Sequence, residues 1–240
     1  MNAQLGCSIL AILAYHKIGD PPRSNSPNRW YIPKATFRDH LRYLSSSAWE
    51  VISVDALLRA LAGSESLPQR AALLTFDDGY KSLLDTASSC LRQFGFPSVA
   101  FIPTQFVGGY NDFDGGREPK EAICSWDDLR ELERHGCSIQ SHGVRHLSMS
   151  SLGQEAQEEE LVSSKRTIES ELGKSVEVFS YPYGRVSEDR PAVSELLKRV
   201  GYQAACLFGG GVTALPVKNA YYLPRVDLYP HSDLAKLLVS

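Results

Sequence analysis

Apolar residues in this chain follow two rhythms. Short, largely unbroken runs at Ile9–Tyr15, Ala72–Phe76, Ser98–Ile102, Ser138–Ser141, Val176–Tyr181 and Gln203–Leu207 have the length of strands, and their continuity is that of parallel strands covered on both faces. Between them, apolar positions recur at helical spacing. Thr36 is placed to cap a helix over Phe37–Ser46, with Phe37, Leu41 and Leu44 on one stripe. In Tyr80–Phe94, Leu83, Leu84, Ala87, Leu91 and Phe94 share a face, and Gly95 supplies the stop. Ser125 and Asp128 form a capping box ahead of Leu129 and Leu132, and Gly136 ends that helix. Glu155–Leu172, closed by Gly173, and Asp189–Val200, closed by Gly201, complete the series.

Repeated strand-then-helix units predict a parallel sheet with helices outside. About six or seven such units suit a closed (β/α) barrel as well as an open doubly wound sheet. No glycine-rich phosphate loop follows a strand, which counts against a nucleotide site. Gly19–Pro33 and Gly108–Pro119 are the long loops; the rhythm continues across both, so residues 1–240 read as a single domain.

Composition narrows this little. A chain of 240 residues, 43% hydrophobic and 22% charged, is ample for one buried core. A net charge of −3 lacks the concentrated basic surface that nucleic acid or an anionic membrane demands. Five widely spaced cysteines without a C-x-x-C read as reduced thiols and not as a disulfide framework. The first apolar run has no basic residue ahead of it and is too short to span a bilayer, so the expectation is a cytoplasmic protein with no membrane insertion. Oligomeric state is not readable.

Three segments follow predicted strands, where such folds place their chemistry. Thr75-Phe76-Asp77-Asp78-Gly79 brings two adjacent carboxylates, which repel unless a cation or shared proton relieves them; by itself it also reads as a helix N-cap with a first-turn acid. Ser141-His142-Gly143-Val144-Arg145-His146 has two histidines that can share a metal across a tight turn, and one added carboxylate makes three ligands of a kind that suits zinc. Tyr181-Pro182-Tyr183-Gly184 is a rigid turn able to aim a backbone N–H at a developing oxyanion. Together they fit metal-assisted hydrolysis of an amide or ester.

In this order the three segments resemble the polysaccharide deacetylases, carbohydrate esterase family four with its NodB-homology domain. Leu13-Ala14-Tyr15-His16, Ser125-Trp126-Asp127-Asp128-Leu129 and Leu223-Pro224-Arg225 are similar to the exopolysaccharide branch. The resemblance implies an α/β fold, a distorted, TIM-like (β/α)7 barrel. It implies Asp77 as general base and Asp78, His142 and His146 as ligands of a divalent metal, commonly zinc. The backbone N–H of Tyr183 would be the second oxyanion donor. The partner implied is an N-acetylated glycan, from which acetate and a sugar amine are formed.

Two departures stand out. The family's arginine ahead of the proline–tyrosine pair is Ser180 here, and its late leucine-x-histidine has no match, the chain running Phe208-Gly209-Gly210-Gly211. Arg225, expected after a late strand, is the candidate to pair with Asp77, against a surface ion pair as the plain alternative. His16, ending the first strand, is the candidate acid, against a hydrogen-bonded core histidine. Trp126, Tyr110, Pro182 and Tyr183 are candidate sugar contacts, with Trp30 as a further wall beside His16; Trp126 reads equally as core. Other readings stay open: a carbohydrate-binding pseudoenzyme, or a metal-dependent amidohydrolase acting on a small non-glycan amide.

Overall fold

In the computed structural model, which describes residues 8–22 and 29–238, the apolar runs become the staves of a closed parallel barrel. Its strands are β1 (Ile9–Tyr15), β2 (Arg70–Asp77), β3 (Ser98–Ile102), β4 (Cys137–Ser141), β5 (Val178–Ser180), β6 (Ala204–Gly210) and β7 (Leu223–Asp227). β1 pairs along its length with β2, from Ile9 opposite Arg70 to Tyr15 opposite Phe76. Its other edge pairs with β7, Leu13 opposite Val226 and Ala14 opposite Asp227. This double pairing decides between the barrel and the open sheet, because it leaves the outer strands no free edge.

The helices are α1 (Lys34–Ser46), α2 (Val54–Leu61), α3 (Ser89–Phe94), α4 (Trp126–Arg134), α5 (Gln154–Leu172), α6 (Arg190–Val200) and the short α7 (Leu234–Leu237). Ser125 and Asp128 do form the capping box of α4, and Gly95, Gly173 and Gly201 end α3, α5 and α6 in the left-handed conformation. Thr36 does not cap α1. Pro33 occupies the N-cap position, and its carbonyl already accepts the first helical bond, from Phe37 N, which leaves Thr36 inside the first turn. The helix expected over Tyr80–Phe94 divides into a π-helical turn at Leu83–Ser88 and α3. Among the described residues, no helix is long and apolar enough to cross a membrane.

The seventh strand is new relative to the sequence reading. Pro224 and Arg225 interrupt its apolar pattern, and a register shift against β6 adds to the irregularity. Arg225 therefore lies within β7 and not after it. α2 was also unforeseen. The upper part of β2 pairs with β3, whereas its lower part pairs with Glu50–Val51, and α2 follows directly. Val54, Leu57 and Leu58 of α2 join the residues that fill the barrel, so this helix plugs its lower end.

Strand residues alternate between two cores. Leu10, Ile12, Leu73, Phe101, Val178, Cys206 and Leu223 fill the barrel, while Leu13, Tyr15, Leu74, Phe76, Ile102, Phe179 and Val226 face the helices. Continuing the inward series up β2, β5 and β7 reaches Thr75, Asp77, Ser180 and Arg225, all buried. A layer of polar side chains thus closes the top of an apolar interior. The four described cysteines are free and buried, as expected of reduced thiols; Cys7 lies outside the described residues.

The turn after β5 fits against β6 through a glycine. Gly184 has φ +64°, and a Cβ there would stand 2.5 Å from the backbone N of Phe208. Gly184→Ala is expected to cost about 2–4 kcal/mol, from the left-handed conformation and the backbone contact together. Thermal unfolding should show a midpoint roughly 5–10 °C lower; an unaltered midpoint would mean that the turn relaxes freely.

Candidate active site

Asp77 is the last residue of β2, and its carboxylate faces the barrel axis. Arg225 grips it with a two-pronged fork: Nη1 donates to Asp77 Oδ1 at 2.8 Å and Nη2 to Oδ2 at 2.6 Å. The remaining guanidinium donors go to Thr75 Oγ1, Ser180 Oγ and the carbonyl of Leu207. All five N–H groups of Arg225 are thereby used, as a wholly buried guanidinium requires. Ser180, standing where the resemblance calls for an arginine, is one of these acceptors. Burial alone would raise the carboxyl of Asp77, but Arg225, with His142 and His16 beside it, holds the group below the usual carboxylate range.

Asp78 begins the turn beyond β2 with φ +70°. Its Oδ1 lies 3.4 Å from His142 Nε2 and 3.1 Å from His146 Nε2. Buried as it is, that oxygen accepts no hydrogen bond from any described residue. His142 Nδ1 donates to the carbonyl of Ser180 at 2.7 Å, which in the neutral imidazole leaves the lone pair on Nε2. One carboxylate and two imidazoles, mutually within 4.8 Å, are a donor set that fits a divalent cation.

The histidine turn is built from outside the barrel. Glu160 of α5, buried, accepts from the backbone N of Val144 and Arg145 and from Arg145 Nε. A Cβ on residue 143 would lie 2.8 Å from Glu160 Oε2, and φ there is +80°, which accounts for Gly143. His146 is wedged between Phe113 and Tyr183, ring centroids 4.4 and 4.7 Å away.

A cavity opens over these groups, lined by His16, Trp30, Asp77, Asp78, Tyr80, Asp114, His142, His146, Tyr181, Tyr183 and Phe208. His16 follows β1 into it, packed on Trp30 at 4.5 Å between ring centroids; burial lowers its pKa despite the opposing charges of Asp78 and Asp77. Tyr183 is half-exposed at the mouth. Three expected sugar contacts lie elsewhere. Trp126 opens α4 and packs against the outer core, Pro182 is buried within its turn, and exposed Tyr110 carries Lys120 over its ring. Tyr80, Asp114 and Phe208 are additions that carried no periodic or motif signal.

Three comparisons bear on this arrangement. A family model described as polysaccharide deacetylase matches residues 64–205, a stretch that holds Asp77, Asp78, His142, His146 and Tyr183 but neither His16 nor Arg225. The Bacillus subtilis protein YxkH, which carries a provisional polysaccharide deacetylase name, is 25% identical over 221 residues, covering 92% of this chain and 72% of its own. The poly-beta-1,6-N-acetyl-D-glucosamine N-deacetylase of Escherichia coli K12 is 28% identical over 108 residues, 42% of this chain and 16% of that protein. Among solved structures, the Streptococcus pyogenes deacetylase PplD in complex with acetate superimposes with a TM-score of 0.83 at 19% identity, covering 98% of this chain and 100% of that one; at such identity the likeness speaks for the fold.

Removing Arg225 isolates a buried carboxylate. Arg225→Met should destabilise the protein by about 3–5 kcal/mol. Urea unfolding at neutral pH measures this, and an unchanged midpoint would show that Asp77 does not depend on the pair.

Proposed function

Because the chain belongs to the polysaccharide deacetylase family, we propose that it hydrolyses N-acetyl groups from an N-acetylated amino-sugar oligosaccharide or polysaccharide. Asp78, His142 and His146 would hold a divalent cation, zinc being the best match to two imidazoles and a carboxylate. The observation that carries this reading is the adjacency of two differently treated carboxylates: Asp77 is neutralised by a protein cation, and Asp78 is left without a hydrogen bond at Oδ1. A binder of sugars needs neither arrangement.

A cation held there supplies Lewis-acid polarisation of the acetyl carbonyl and lowers the pKa of a water molecule. The chain's own groups do the rest. Asp77 accepts the proton that the attacking water loses, and Arg225 keeps its carboxylate ionised and fixed in one plane. The water oxygen bonds to the acyl carbon, and the backbone N–H of Tyr183 donates to the oxygen that gains charge. His16, once protonated, hands that proton to the departing nitrogen as the carbon–nitrogen bond breaks, and the proton taken up by Asp77 passes to solvent, so that both groups return to their starting states. Acetate and a sugar amine result, with water's elements divided between them. Trp30 and Phe208, 5.7 Å apart at a steep angle, give apolar faces suited to a pyranose ring. The name of the Escherichia coli relative makes β-1,6-linked N-acetylglucosamine the first glycan to test.

Metal analysis of the purified protein should give about one divalent ion per chain. His142→Ala should lose it while the far-ultraviolet spectrum stays native; full retention would remove the ligand assignment. Asp77→Asn should keep the ion yet release acetate at least about 100-fold more slowly, and wild-type rates would dismiss Asp77 as the base. For His16→Ala, kcat on an N-acetylglucosamine oligomer should fall far more than on an aryl acetate, whose phenolate leaves without a proton. Equal losses on both would deny His16 the role of acid.

A further inference from the structure

Asp114 lines the cavity, yet the mechanism above gives it no task. It belongs to the long loop after β3, and that loop is firmly organised. Buried Asn111 donates through Nδ2 to Asp114 Oδ2 at 2.7 Å and to the carbonyl of Pro119 at 2.9 Å, while its Oδ1 accepts from Glu121 N at 2.6 Å. Three further ties bind the loop to the barrel mouth. Tyr31 donates to Glu121, Lys17 Nζ lies 3.5 Å from Glu118 Oε2, and the Tyr80 hydroxyl donates to Asp114 Oδ2 at 3.4 Å. Lys17 Nζ itself is enclosed between the rings of Tyr31 and Tyr80, 4.9 and 4.6 Å from their centroids.

Both protein hydrogen bonds to Asp114 thus fall on Oδ2. Among the described residues, none donates to Oδ1. A fixed carboxylate with one oxygen unengaged, on the wall of a cavity that already holds Asp77 and Asp78, adds like charge where it costs stability. Such a group is suited to strong hydrogen bonds from hydroxyl donors. Resting on the proposed glycan deacetylation, we propose that Asp114 accepts hydrogen bonds from pyranose hydroxyl groups and selects sugar substrates over simple acetyl compounds. It is a specificity residue that does not take part in the proton transfers.

Asp114→Asn preserves the shape while weakening the acceptor. Its kinetics on an N-acetylglucosamine oligomer and on an aryl acetate without sugar hydroxyls test the assignment, with bound metal measured in parallel. On the oligomer, KM should rise about tenfold with kcat changed less than about threefold. The ratio of kcat/KM for the oligomer to that for the aryl acetate should fall about tenfold, at the wild-type metal content. An unchanged KM overturns the inference alone. A loss of equal size on both substrates overturns it too, because a merely structural role for Asp114 moves both together. A wild-type protein that cleaves the aryl acetate but no N-acetylated glycan overturns the proposed function along with it.

Discussion

The site depends on one buried ion pair. Asp77 and Arg225, 148 residues apart in the chain, meet inside the barrel, where the guanidinium is wholly buried and the carboxylate meets solvent only through the cavity. A lone charge at that depth would neutralise or unfold its surroundings. Here the fork geometry, with Thr75, Ser180 and Leu207 taking the remaining donors, satisfies the guanidinium completely. Ser180 links the two halves of the site: its hydroxyl oxygen accepts from Arg225, and its carbonyl faces His142 Nδ1. Asp77, through Arg225, and His142 are therefore braced by the same residue.

Much of this was legible in the sequence because the chemistry sits at strand ends, and strands announce themselves by apolar continuity. The parity of β2, β5 and β7 carries the inward direction from Leu73, Val178 and Leu223 to Asp77, Ser180 and Arg225. The expected partnership of Arg225 with Asp77 holds in the structure, and His16 enters the same cavity as Asp78, His142 and His146. What failed had local causes. Pro224 and Arg225 broke the pattern of β7, so the strand was missed while its key residue was singled out. Pro33 displaced Thr36 as the start of α1.

Trp126 reads in the sequence equally as a sugar platform and as core, and at the head of an amphipathic helix it is half-buried and packed against the outer core. Asp114 shows the converse. It lies in a loop with no periodicity, and its position follows from Asn111, Tyr80 and the ties to Lys17 and Tyr31, contacts that no spacing rule foretells.

The closure of β1 onto both β2 and β7 has a consequence for how the molecule matures. Asp77 leaves the ribosome long before Arg225 is synthesised, so for most of elongation its carboxylate has no cation to meet. The last strand must dock before the polar layer is complete, and contacts of such sequence separation form slowly. A nascent or truncated chain lacking β7 would hold Asp77 but not the guanidinium that makes its burial tolerable. Assembly of the polar layer thus waits on the synthesis and docking of β7.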